Sequence, residues 1–200
     1  MTNCKKCSVG IAGFESITVS GDGNFCYRCY NRWIALRMDA EVDDIHIDGV
    51  NMTGVDGRTH TFRVRSHLFG DKHVVQAIEL QKGQPKGYDF EVMGTIDDDG
   101  VELFSLLYQR MREQLSRVHV EKGELGWQIT EAGRVTGRID SDLDAPERTP
   151  LVIIDGREFT WHEFGRMLMT YEGWAFDLQI RDRIEEVGGD VPLTSSPGLA

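Results

Sequence analysis

The sequence lacks any apolar run close to the roughly 20 residues that cross a bilayer, so no membrane-spanning helix is expected anywhere in its 200 residues. Behind the polar start Met1-Thr2-Asn3-Cys4-Lys5-Lys6 there is no apolar signal segment, which sets the expectation of a cytoplasmic protein. Phosphate-cradling loops are missing too: neither G-x-x-x-x-G-K-[ST] nor G-x-G-x-x-G occurs. The histidines His46, His60, His67, His73, His119 and His162 are scattered and fall in no H-E-x-x-H or nucleophile-elbow context. Nothing here points to an enzyme. Cations are the scarcer charge, 22 against 33 acidic residues, and the net charge of −11 repels nucleic acid and anionic membranes on average.

Cysteine is confined to the first 29 residues, as two Cys-x-x-Cys pairs: Cys4 with Cys7, and Cys26 with Cys29. A reducing cytosol disfavours two disulfides, and metal binding uses every thiol. Two residues between paired cysteines let both sulfurs reach one ion, and four thiolates close a tetrahedral zinc site with no open position, so the metal is expected to be structural. The 18 residues between Cys7 and Cys26 allow a hairpin turning at Ser20-Gly21-Asp22-Gly23-Asn24. Tyr27, Trp33, Ile34 and Met38 then follow at helical spacing. A knuckle, a hairpin and a helix bearing the last two ligands are the parts of a treble-clef finger.

Over residues 4 to 37 this spacing resembles that of GATA-type and related zinc-ribbon fingers. The resemblance implies a small zinc module and, in those families, DNA reading through a helix and a basic tail. Here the stretch after Met38 is acidic. Residues 1 to 37 carry Lys5, Lys6, Arg28, Arg32 and Arg37 against Glu15 and Asp22, a sum of +3 that leaves −14 for the rest. These five cations are the candidate nucleic-acid contacts. Tyr27, Tyr30 and Trp33 crowd the second pair, more aromatic area than one small module buries, and they are the candidate partner contacts. The alternative for the same three residues is that they dock the finger on the rest of the chain.

The remaining organisation reads as an acidic linker over 39 to 49, one α+β domain over 50 to 186 and a disordered Gly/Pro/Ser-rich tail over 187 to 200. Val50 to Val55 and Thr59 to Arg65 flank the turn Asp56-Gly57, and Val74 to Leu80 and Tyr88 to Met93 continue an antiparallel meander. Asp97, Asp98 and Asp99 cap a helix with Phe104, Leu107, Met111, Leu115 and Val118 on its apolar face. A second hairpin is expected from Trp127 to Ile139, turning at Glu131-Ala132-Gly133, then a strand at Leu151 to Ile154. Thr160 and Glu163 have capping-box spacing for a helix from Trp161 to about Tyr171. Trp174, Phe176, Leu178 and Ile180 alternate with polar residues or alanine as the clearest strand of the chain. The solvated acidic runs Asp97 to Asp99 and Asp140, Asp142 and Asp144 read as capping and loop residues rather than cation sites.

The segment from Ile154 through Trp161-His162-Glu163-Phe164-Gly165-Arg166-Met167-Leu168 to Tyr171-Glu172-Gly173-Trp174 resembles the signature of an uncharacterised bacterial family that joins a four-cysteine finger to this domain. That resemblance implies the domain arrangement and no activity. The expectation is therefore a non-enzymatic, zinc-binding interaction or regulatory protein whose partner is another protein. Nucleic-acid regulation through the basic finger is the alternative.

Overall fold

The computed structural model describes residues 1–41, 44–124, 126–145, 147–182 and 185–186. Within the first 38 residues, β1 (Thr2–Asn3) pairs with β2 (Gly10–Ile11) and β3 (Ser16–Val19) pairs with β4 (Gly23–Cys26). Helix α1 (Tyr27–Met38) leaves directly from β4. The hairpin turn expected from the Gly-Asp-Gly run lies between β3 and β4, where Gly21 and Gly23 both have positive φ.

Four long strands follow as an antiparallel meander: β5 (His46–Thr53), β6 (Thr59–Phe69), β7 (Lys72–Gln81) and β8 (Gln84–Thr95). Strand side chains alternate between faces, so Phe62, Val64, Val75, Ala77, Phe90 and Val92 share one side of this sheet. Helix α2 (Gly100–Leu115) covers that side with Leu103, Leu107, Met111 and Leu115, which three- and four-residue spacing places on one stripe. Leu103, Leu107 and Met111 are at most 1% exposed, and burial on this scale contributes about 1.5–3 kcal/mol per side chain. The Asp99 carboxylate caps α2 by accepting from the amides of Val101 and Glu102.

The second half has its own core. Strand β9 (Val120–Gly123) pairs with β10 (Gly126–Ile129), and β11 (Arg138–Asp142), β12 (Thr149–Ile154) and β13 (Arg157–Thr160) form a three-stranded antiparallel sheet. Helix α3 (Trp161–Leu168), extended by one 3₁₀ turn to Tyr171, starts at the capping box read from the sequence: Thr160 Oγ1 accepts from the Glu163 amide, and the Glu163 carboxylate accepts from that of Thr160. Val120, Ile129, Val152, Ile154, Phe159 and Met167 make the core. Finally, β14 (Glu185–Glu186) joins the edge of β8 in parallel at Val92 and Met93. Mostly antiparallel sheets with three helices make the protein α+β.

Several sequence expectations are corrected. Strand β5 begins at His46, inside the expected linker, because Ile47 already pairs with Val64 before a bulge resumes the register at Val50. The second hairpin is β9–β10, not Trp127 to Ile139. Trp127 pairs back to Lys122, while Ile139 pairs forward to Val152. Helix α2 stops at Leu115, short of Val118. The stretch from Trp174 to Ile180 has no strand partner among the described residues, and its four large apolar side chains are exposed. Within residues 50 to 186 the buried apolar side chains gather in two clusters, one beneath α2 and one beneath α3. The expected tail, 187 to 200, lies outside the described residues.

The two cores meet at a joint made of backbone and ion pairs. Asp155 and Gly156 form the two-residue turn between β12 and β13, both with positive φ as a type I′ turn requires. Within the second core the Asp155 Oδ2 accepts from the amides of His119 and Val120; across the joint the Asp155 carbonyl accepts from Arg58, and Lys86 pairs with Glu158 at 2.7 Å. Gly87 of β8 lies so close to this turn that a Cβ there would sit 2.9 Å from the Gly156 carbonyl and closer still to Glu79. A Cβ on Gly156 would meet the Tyr88 ring at 2.8 Å.

Candidate metal centre

The ligand set is assembled by two tight turns. Cys4 follows β1, and its carbonyl accepts the Ser8 amide at 2.8 Å while its amide donates to the Val9 carbonyl at 2.9 Å. That folds Cys7 back beside it, with Ser8 in the left-handed region at φ 62°. Cys26 closes β4 and is the N-cap of α1, which puts Cys29 in the first helical turn. The pairing of Ser16 with Cys26 at the base of the β3–β4 hairpin holds the second pair in place.

The four Sγ atoms lie within 4.8 Å of one another, and Cys7 Sγ to Cys26 Sγ is 3.8 Å. Four sulfurs placed tetrahedrally at about 2.3 Å from one ion are about 3.8 Å apart, whereas a disulfide needs about 2.05 Å. All four are free thiols, and the spacing is that of ligands around an ion. Among the described residues no other group of three or more Cys, His, Asp or Glu comes this close.

Electrostatics favour a cation at the centre. Burial raises the Cys26 thiol above its ordinary range, against amide and thiol hydrogen bonds from Cys29 that lower it, and burial with the neighbouring sulfurs raises Cys29. At Cys4 burial also acts upward, but amide hydrogen bonds from Cys7, Cys26 and Lys6 outweigh it and bring the thiol down to about 6. One sulfur is thus primed as a thiolate, while others need an added positive charge to ionise beside it. A divalent ion supplies that charge, and the free amides at the start of α1 add to it.

The other sequence-predicted residues divide by position. Tyr27 turns to the sheet: Arg65 of β6 lies 4.1 Å over its ring and His67 meets its edge. Trp33 packs within the module, between Phe25 and Tyr30, with Arg37 4.0 Å over its ring. Of the five cations, Arg28 is paired with Asp44 at 2.9 Å, Lys5 approaches Asp22 at 4.0 Å and Arg37 is on Trp33; Arg32 and Lys6 are exposed. The acidic runs are structural, as read: Asp98 accepts from Thr95, Asp99 caps α2 and Asp140 pairs with Arg138. The Thr95 amide holds the Asp98 carboxyl below its usual range.

Sequence reasoning missed Asn31, the residue that seats the module. Strand β5 stops pairing with β6 at Arg65, so the β6 backbone beyond it loses its strand partner on that side. The Asn31 amide replaces it: Nδ2 donates to the Ser66 carbonyl at 2.9 Å, and Oδ1 accepts the Leu68 amide at 3.1 Å. Arg65 reaches back to the Phe14 carbonyl at 2.6 Å, and Arg63 pairs with Glu15. A lone buried asparagine on a helix has no sequence signature. The polar line then continues across the sheet, with Gln76 accepting from Arg65 and donating to Asp89, and Asp89 pairing with Arg138 of the second core at 3.1 Å.

Residues 43–116 match the family model of a domain of unknown function (DUF7686), and residues 119–185 match that of another domain of unknown function (DUF7713). No curated protein and no solved structure matches the chain. Each match spans one of the two cores, their boundary falls between the end of α2 and the start of β9, and the cysteine module precedes both.

Proposed function

We propose that the protein is a zinc-binding, non-enzymatic interaction or regulatory protein, in which one closed Cys₄ zinc site shapes a treble-clef-like module and another protein is the partner. The convergence of Cys4, Cys7, Cys26 and Cys29 to within 4.8 Å carries this reading. Thiolates select zinc among common divalent ions, and four of them fill its tetrahedral shell, leaving no position for substrate or water. The zinc is then architecture: it fixes α1 against the β3–β4 hairpin and so presents the outer side of the helix.

That outer side is where the partner surface is assigned. Tyr27 is engaged with β6, so it serves docking, while Tyr30 and Trp33 with the exposed Leu36 remain for an outside contact. The nucleic-acid alternative is weakened by the engagement of Arg28, Lys5 and Arg37 inside the chain. The test has two arms. Elemental analysis of protein purified without chelator is expected to give about one zinc per chain. Tyr30→Ala and Trp33→Ala are expected to reduce capture of a protein partner at unchanged zinc content, whereas reversing Arg32 and Lys6 leaves capture unchanged. Loss of binding on charge reversal, with a steep salt dependence, would move the assignment to nucleic acid.

A further inference from the structure

Residues 174 to 182 leave the second core with no helical or strand pairing among the described residues, and from Trp174 to Ile180 every second side chain is large and apolar. Trp174 is 75% exposed, Phe176 88%, Leu178 70% and Ile180 73%. Large side chains repeating every second residue are the pattern of a strand with one buried face, and here that face is bare. A second surface, on α3, is exposed as well. Helical residues advance about 100° each, so Trp161, Gly165 and Leu168 lie on one sector of α3, beside the buried sector that carries Phe164 and Met167. Trp161 and Leu168 are 50% and 45% exposed, and a Cβ placed on Gly165 would touch nothing within 4 Å. Among the described residues no packing uses the glycine there, although glycine is a poorer helix former than alanine.

We propose that these surfaces are the interface of a two-fold homodimer, in which residues 176–182 of two copies pair antiparallel about Gln179. The sequence Asp177-Leu178-Gln179-Ile180-Arg181 is its own complement when reversed. Antiparallel pairing places Asp177 opposite Arg181 twice, Leu178 opposite Ile180 twice and Gln179 opposite itself, which satisfies both signs of charge and keeps the apolar residues on one face. A foreign partner would not require this self-complementarity. A two-stranded ribbon alone is marginal in water, so its apolar face needs a cover, and the Trp161–Gly165–Leu168 sectors provide it. The exposed apolar side chains of both segments, with Trp161, Leu168 and Met169 of both copies, amount to roughly 1,600 Å², the size of a standard stable interface. This surface lies outside the cysteine module, so the inference does not rest on the zinc reading.

The test is the mass of the full chain in solution, by sedimentation or light scattering, at about 100 µM, well above the micromolar ceiling expected of such an interface. Twice the 22.6 kDa chain mass is expected. Leu178→Asp is expected to weaken the dimer at least about tenfold with an unchanged circular dichroism spectrum, because Leu178 is exposed in the single chain. Asp177→Arg alone and Arg181→Asp alone are each expected to weaken it, and the double swap to restore it. A monomeric wild type, a dimer indifferent to Leu178→Asp, or single swaps that the double swap does not rescue would each overturn the proposal. Capture of a different protein by a monomeric chain would assign the surface to that partner instead.

Discussion

Replacing Asn31 with alanine isolates the force that seats the cysteine module on the sheet. Asn31 is 4% exposed, and the two β6 residues it bonds, Ser66 and Leu68, are both fully buried. Truncation removes three hydrogen bonds, one of them to the part-buried Asp44 carboxylate, and strands one carbonyl and one amide of β6 where water has poor access. Each such group costs about 1–3 kcal/mol. The packing held by Tyr27 against Arg65 and His67, the Arg63–Glu15 pair and the Arg28–Asp44 pair all survive, and partial entry of water offsets part of the loss. The expected destabilisation of docking is therefore about 2–4 kcal/mol, a 30- to 800-fold rise in the undocked population. Hydrogen exchange at the Leu68 amide reads this directly, with limited proteolysis of the connection between α1 and β5 as the coarser measure. Zinc content should not change, since no ligand is touched. Asn31→Asp keeps the acceptor for Leu68 but loses the donor and faces Asp44, so it should recover little. Unchanged exchange at Leu68 in Asn31→Ala would refute the idea that this amide substitutes for a strand.

Further outcomes follow from the same geometry. Cys26→Ser should abolish stoichiometric metal binding and unfold the module while the second core, which shares no ligand with it, stays folded; circular dichroism and zinc analysis together report this. Asp155→Asn should cost less than about 1 kcal/mol, because asparagine tolerates the left-handed turn position and keeps an acceptor. Asp155→Ala should cost about 2–3 kcal/mol and loosen the second core, by leaving the His119 and Val120 amides without their acceptor, while the Arg58 bond to the backbone carbonyl across the joint is kept. Burial and the nearby Arg65 depress His67 from 6.5 to about 4. The unfolded chain therefore binds the proton first, and stability is complete above pH 6.5 and falls as pH drops toward 4. Chemical denaturation of His67→Gln at pH 7 and 5 should show a smaller loss than the wild type.

Much of the architecture was legible because it rests on local chemistry. Two Cys-x-x-Cys pairs, the Asp99 cap and the Thr160–Glu163 box each announce their geometry within four residues, and the period-two runs from Phe62 to Val92 announce the meander. What could not be read depends on distant partners. The Trp127 to Ile139 expectation failed because Gly133 looked like a hairpin turn, whereas Trp127 pairs backward and Ile139 forward, a choice made by the two sheets and not by the turn. The Trp174 to Ile180 pattern has strand character with no strand partner among the described residues, so alternation alone misplaced it. Division into two cores was hidden for a related reason. The periodicities name buried faces but not which faces share a core. At the candidate metal centre the four cysteines that cluster were readable from their spacing, while Asn31, Arg63 and Arg65 were not, since their roles come from where β5 stops.

The close contact of Gly87 with Gly156 bears on how such a chain can be inherited. One glycine lies within the segment that matches DUF7686 and the other within the segment that matches DUF7713. A Cβ on Gly87 would meet Glu79 of its own segment and the Gly156 carbonyl of the other, and a Cβ on Gly156 would meet the Tyr88 ring and Glu79 of the other segment. A recombinant that exchanged either segment for one carrying a larger residue at its half of the contact would drive a wedge between the cores, however well each folded alone. The two segments can thus be shuffled among genes only as a matched pair, and drift at one glycine is held in check by the neighbour it touches across the joint.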